Sequence, residues 1–190
     1  MTALRVHAVL SRSSANGPGN RAVVWTQGCS LGCPGCFNPE THQGLGGTLE
    51  DPQRLAKLLA TPDVDGLTVS GGEPLEQFEP VIELLTAFRR HHSGTTILLT
   101  GYSPESLTHR LTPGSLASLR SNLDVLIAGP YRAGKHLASG LRGSSNKEVL
   151  LVSDRYTREE IDATPLAEVI IGPDGAITMT GVSPVQIGKR

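Results

Sequence analysis

The chain has 190 residues with 17 basic and 18 acidic side chains, a formal net charge of -1. That balance, with Lys and Arg scattered, argues against the basic footprint that nucleic-acid phosphates require. No apolar run approaches the ~20 residues of a membrane span, and the start of the chain lacks the h-region of a signal peptide. The length suffices to bury a core without staples. Three cysteines in all, crowded into one loop, fit reduced thiols and a cytoplasmic location.

In chain order, residues 5–10 and 21–26 are rich in β-branched and apolar positions and read as two strands, separated by a Ser, Asn, Gly and Pro loop over 11–20. The cysteine loop follows. Asp51-Pro52 opens a helix with Leu55, Leu58 and Leu59 on one face. Residues 66–70 form a buried strand and 76–92 the next helix, with Phe78, Val81, Ile82, Leu85 and Phe88 at three-to-four spacing as core. A strand at 96–100, a helix at 104–111 and a strand at 124–128 complete the alternation. Residues 148–152 and 156–163 continue it, and 169–179 alternates around Pro173-Asp174-Gly175 as a β-hairpin. Alternating strands and helices predict an α/β fold with a mostly parallel sheet. Function in such sheets gathers at the carboxyl ends of the strands. The cysteine loop, Ser70-Gly71-Gly72-Glu73-Pro74 and Thr100-Gly101-Tyr102 all fall there, and a partial barrel would make them neighbours.

The cysteines stand as Cys29, Cys33 and Cys36 in a C-x3-C-x2-C pattern. An iron-sulfur cubane is normally held by four thiolates, so three leave one iron open to a non-protein ligand. Cys29, Cys33, Cys36 and His42 offer a second reading, a closed structural zinc site. The Gly-Gly-Glu-Pro turn downstream has no place in that reading. An odd cysteine count and very small loops speak against disulfides.

Taken together, the cysteine loop and Ser70-Gly71-Gly72-Glu73-Pro74 resemble the radical S-adenosylmethionine enzymes. Within them, Asn16-Gly17-Pro18-Gly19, Gln27-Gly28-Cys29, Cys36-Phe37-Asn38, Thr100-Gly101-Tyr102 and Arg142-Gly143-Ser144-Ser145-Asn146 are similar to the activating proteins of glycyl radical enzymes, above all those of anaerobic ribonucleotide reductase. The similarity spans residues 5–147 of one radical S-adenosylmethionine domain over 1–190, with a C-terminal hairpin extension over 148–190. It implies a partial (β/α) barrel. It also implies a 4Fe-4S cluster on Cys29, Cys33 and Cys36, and S-adenosylmethionine chelating the open iron through its amino and carboxylate groups. Gly35, Phe37 and Asn38 would flank the adenine. Ser70, Gly71, Gly72 and Glu73 would receive the methionine ammonium, and Thr100, Arg142 and Ser144 would complete the cofactor site, with Asn146 beside them. Ala128 and Pro130 stand where activases often carry an acidic residue and a lysine.

The activity implied is reductive cleavage of the cofactor to methionine and a 5'-deoxyadenosyl radical, which abstracts a hydrogen atom. No catalytic side chain is expected, because the cofactor carries the hard step. The expected partner is a glycyl radical enzyme, with a peptide or small metabolite as the alternative substrate and a non-catalytic iron-sulfur or zinc protein as a third class. Flavodoxin or ferredoxin would supply electrons. Neither nucleic acid nor membrane is expected as a partner.

Overall fold

The computed structural model describes residues 2–182. Strands β1 (Leu4–Ser13) and β2 (Arg21–Thr26) pair antiparallel, and a short β3 (Thr48–Glu50), not anticipated from the sequence, joins the other side of β1. From β2 the sheet continues through β4 (Gly66–Gly71), β5 (Thr95–Thr100) and β6 (Val125–Ala128), each parallel to its neighbour. An antiparallel ribbon of β7 (His136–Ser139) and β8 (Arg142–Ser144) follows. Strand β9 (Glu148–Leu151) then returns antiparallel to β6. The final order is β3-β1-β2-β4-β5-β6-β9. The parallel stretch is therefore the four central strands, and the sheet as a whole is mixed. Between β6 and β9 the chain forms the ribbon rather than the crossover helix that a parallel return needs.

Helices α1 (Pro52–Leu59), α2 (Phe78–His91), α3 (Pro104–Arg110), α4 (Pro113–Ser121) and α5 (Arg158–Asp162) fill the connections and the tail. Asp51 caps α1, its carboxylate accepting from the Arg54 amide at 2.9 Å, with Pro52 in the first turn where its missing N–H costs nothing. The buried stripe of α1 is Pro52, Leu55, Ala56 and Leu59. Leu58, expected on that face, is exposed because it lies roughly 100° round the helix from Leu59. The helix expected from residue 76 begins instead as a 3-10 turn, Pro74–Gln77, and becomes α-helical at Phe78. Helix α4 went unread because only Leu119 on it is buried, so it carries no apolar period.

Alternation along the strands divides the core between the two faces of the sheet. Val24, Val69, Leu98 and Leu126 pack against Leu55, Leu59, Leu84, Leu85 and Phe88 of α1 and α2, each full burial contributing about 1.5–3 kcal/mol. Ile97, Val125 and Ile127 point the other way, to Leu141 and Ile161. This second face is only partly covered, and it leaves room for a cavity. Strands β10 (Ala167–Ile171) and β11 (Ile177–Gly181) form the expected hairpin as a separate two-stranded sheet. Residues 183–190 of the expected extension lie outside the described residues. Among the described residues no helix is long and apolar enough to cross a membrane.

Candidate cofactor site

A cavity of about 460 Å³ opens on the face of the sheet opposite α1 and α2, and all three cysteines line it. Such a volume lies in the range of small-molecule sites. Ser70, Gly71 and Gly72 at the end of β4, Thr100 and Gly101 at the end of β5, and Phe37 and Asn38 after the last cysteine share its wall. Residues far apart in sequence thus meet at the carboxyl ends of the parallel strands.

The backbone holds the cysteine loop against those strand ends. The Gly72 amide donates to the Thr26 carbonyl and the Glu73 amide to the Gly28 carbonyl, both at 2.8 Å, while the Gly28 amide donates to Thr41 at 2.8 Å. This contact requires glycine. A Cβ on Gly72 would lie 2.2 Å from the Gly28 carbonyl oxygen, and one on Gly71, whose φ is +110°, 2.3 Å from the Thr26 nitrogen. The Gly-Gly pair therefore brings β4 and the cysteine loop together as well as presenting main chain to the cavity. Glu76 adds a side-chain tie, accepting from the Ser30 amide at 3.0 Å and the Tyr102 hydroxyl at 3.2 Å. Gln27, buried at the end of β2, clamps the far side of the loop by donating to the carbonyls of Glu40 and Gln43 at 3.0 and 2.7 Å.

Glu73 is fully buried and lies behind the cavity wall. Its carboxylate accepts from the Thr100 hydroxyl at 2.7 Å, the Gly101 amide at 2.6 Å and the Leu75 amide at 3.0 Å. Burial pushes its carboxyl up from the ordinary range, against the pull of those three donors. Glu73 thus joins the ends of β4 and β5. Arg142 also turns away from the cavity, to Asp162 at 3.3 Å. The Ser144 hydroxyl, buried, accepts from the Arg132 amide at 3.3 Å, and Asn146 donates to the Pro130 carbonyl at 2.8 Å. Of that segment only Gly143 lines the cavity, joined by Lys147 directly after the segment. Gly143 lies so close to Phe37 that a Cβ there would approach its ring to 2.6 Å, and Phe37 packs on Tyr131 with centroids 4.7 Å apart.

Lys147 is the site residue that sequence reasoning missed. Its ammonium donates to the Thr100 carbonyl at 3.3 Å and to that of Gly129. The cation therefore reaches the turn after β6 from the residue just before β9, although Ala128 and Pro130 bring none to it. No carboxylate pairs with it among the described residues. Burial lowers its pKa, with Glu73 and the thiols of Cys33 and Cys36 pulling the other way. The available signal was a lysine directly after Arg142-Gly143-Ser144-Ser145-Asn146. It lay one position past the segment on which the resemblance rested.

The donor set fits a cubane. Among the described residues no group of three or more His, Cys, Asp and Glu side chains is gathered round one metal position. A cubane instead takes each thiolate on a separate iron. His42 lines the cavity with its Nε2 buried and unpartnered, while its carbonyl accepts from the Cys29 amide at 3.4 Å. Burial pushes the Cys29 thiol up from its ordinary range.

The geometry defines a site in which three thiols and glycine main chain line one cavity, a donor set suited to an iron-sulfur cluster. Comparison with known proteins agrees, since residues 15–150 match the family described as 4Fe-4S single cluster domain. The pyruvate formate-lyase-activating enzyme of Clostridium pasteurianum is 40% identical over 104 residues, 52% of this chain and 44% of that enzyme. Its counterpart in Staphylococcus aureus (strain USA300) is 36% identical over 107 residues, 50% of this chain and 40% of the enzyme. The anaerobic ribonucleoside-triphosphate reductase-activating protein of Enterobacteria phage T4 is 30% identical over 140 residues, 70% of this chain and 85% of the relative. The chain belongs to this 4Fe-4S single-cluster family, among the radical S-adenosylmethionine activating proteins. Membership implies a 4Fe-4S cluster and S-adenosylmethionine as cofactors. The chain spans less than half the length of the pyruvate formate-lyase-activating enzymes it matches.

Proposed function

We propose that this protein activates a glycyl radical enzyme by removing a hydrogen atom from one of its glycines. One observation carries the reading: three thiols of one loop and the main chain of Gly71 and Gly72 open on a single cavity at the ends of the parallel strands. In this reading Cys29, Cys33 and Cys36 hold the cluster, and the site lies in a partial barrel within a single domain over 1–190. Bound there, the cluster and S-adenosylmethionine supply one-electron cleavage to methionine and a 5'-deoxyadenosyl radical.

The chain's own groups bind and orient. Carbonyls at Gly71 and Gly72 would receive the methionine ammonium, and Lys147, a cation without a carboxylate partner among the described residues, would receive the carboxylate. Phe37 and Asn38 would hold the adenine, with Gly35 in the same loop beside Tyr131. Glu73 fixes the Thr100-Gly101 turn. Electrons come from a flavodoxin- or ferredoxin-type carrier in the cytoplasm, and neither nucleic acid nor membrane takes part. The names of the relatives, activators of pyruvate formate-lyase and of anaerobic ribonucleoside-triphosphate reductase, support the class of partner.

The test is anaerobic reconstitution followed by reduction with dithionite. The expected outcome is about four irons per chain and release of 5'-deoxyadenosine, lost when any of the three cysteines becomes alanine. Adding a glycyl radical enzyme encoded beside this chain should then yield a glycyl radical doublet in the electron paramagnetic resonance spectrum. Stoichiometric zinc without cleavage would refute the proposal.

A further inference from the structure

The hairpin of β10 and β11 lies beyond residue 150, where the family match ends, and its polarity is inverted. Its register opposes Glu168 to Thr180 and Ile170 to Thr178 on one face, and Val169 to Met179 and Ile171 to Ile177 on the other. The first face binds the body. Glu168 accepts from the Ser13 hydroxyl at 2.7 Å and the Ser14 amide at 2.9 Å, and the Thr180 hydroxyl accepts from the Asn16 side-chain amide at 2.9 Å. The apolar face looks outward, with Val169 45%, Ile171 70%, Ile177 59% and Met179 47% exposed. A hairpin that merely completed the fold would bury that face.

The hydrogen bonds show which way its backbone points. The Val182 amide donates to Leu166 at 2.9 Å and the Gly172 amide to Ala176 at 2.8 Å. Bonded and non-bonded pairs alternate in an antiparallel ladder, so the pairs 168 with 180 and 170 with 178 are bonded. The pairs 167 with 181, 169 with 179 and 171 with 177 are not. The N–H and C=O groups of Ile177, Met179 and Gly181 therefore point away from β10. Strand β11 has no second strand partner among the described residues, and residues 178–182 line the same cavity as the three thiols. An open strand edge beside a bare apolar face is a template for another strand.

We propose that this edge docks the protein substrate. An extended glycine-bearing segment of the partner adds to β11 as a third strand, sets apolar side chains beside Ile177 and Met179, and brings its glycine to the cavity. Main-chain bonds give the affinity, and alternate side chains give the selectivity. The occupant is a substrate rather than a second copy of this chain because the edge borders the cavity, which a second copy would obstruct. This inference rests on the proposed function and names where its partner binds.

The test uses the full reconstituted chain with S-adenosylmethionine and a ten-residue synthetic peptide of alternating valine and threonine around a central glycine. Amide hydrogen exchange at Ile177, Met179 and Gly181 should slow at least tenfold on saturation. The same peptide N-methylated at alternate residues should bind at least tenfold more weakly, because it lacks the donors for the edge. Ile177→Pro should weaken binding similarly, since it removes one outward N–H at the first residue of β11, where proline is tolerated. Equal binding of the N-methylated peptide, or protection confined to other amides, would overturn the docking edge. So would protection that rises with protein concentration in the absence of peptide, which would mean a second copy covers it. Wild-type protein that cleaves the cofactor yet protects none of these amides would sink the edge alone. Protein that protects them without cleaving the cofactor would refute the activase reading and leave the edge standing.

Discussion

Two cations lie within the α/β layer, at opposite ends of the parallel strands, and their surroundings differ. Arg21, at the start of β2, has no exposed surface. Its guanidinium makes five hydrogen bonds, to Thr68, Thr95 and Tyr156 hydroxyls and to the carbonyls of Leu67 and Thr95, at 2.7–3.1 Å. All five N–H groups are used. Burial pulls its pKa down to about 10, with the Tyr156 hydroxyl opposing. Lys147, at the other end, makes two bonds to carbonyls and faces a cavity. A buried cation with every donor spent is a cross-link, whereas one with a donor to spare beside an opening has that donor left for a ligand. Gly17 serves the first end, since a Cβ on it would lie 2.4 Å from the Arg21 side chain.

The contrast can be broken most severely at Gly72. Valine there would meet the Gly28 carbonyl and force the cysteine loop from the strand, so Gly72→Val should lose both cluster and cofactor, with overpacking costing about 1–3 kcal/mol in the apoprotein. Iron content and urea midpoints check this. A variant that keeps its cluster and loses only cofactor affinity would show that the glycines serve the ligand alone.

Arg21→Met should cost about 3 kcal/mol by stranding buried acceptors, measured by urea unfolding. The folded fraction should bind S-adenosylmethionine with unchanged affinity. Lys147→Met should act on the cofactor as well. It should load a normal cluster and cost about 1–2 kcal/mol in unfolding for its two carbonyl hydrogen bonds, less than Arg21→Met, yet lose about tenfold in cofactor affinity by titration, roughly 1.4 kcal/mol. Lys147→Arg should restore part of it. The smallest effect belongs to Arg142→Ala, whose ion pair with Asp162 is partly exposed and worth under about 1 kcal/mol. Cofactor affinity should not change, and a tenfold loss there would place Arg142 in the site after all.

What could be read in advance follows from how far each signal depends on neighbours in sequence. Thiol spacing and the Gly-Gly-Glu-Pro turn are local patterns, and so are the four central strands with their unbroken apolar runs. They were legible. The side-chain directions of Glu73, Arg142 and Ser144 are set by partners tens of residues away or across the fold, and no local pattern encodes them. Strands β3, β7 and β8, of three or four residues, are too short to carry a period of two. The hairpin was visible from Pro173-Asp174-Gly175 and its flanking alternation. Its inverted faces became evident only once the register placed Glu168 and Thr180 against the β1–β2 connection.

The central claim is that S-adenosylmethionine binds directly on the cluster held by Cys29, Cys33 and Cys36. Its most direct test is the electron paramagnetic resonance spectrum of the reduced, reconstituted protein during titration with the cofactor. The account predicts a change in the cluster's g-values that saturates at about one cofactor per cluster and needs higher concentrations in Lys147→Met. A spectrum unmoved by saturating cofactor would contradict it, for the fourth iron would then be closed and the cavity would serve some other ligand.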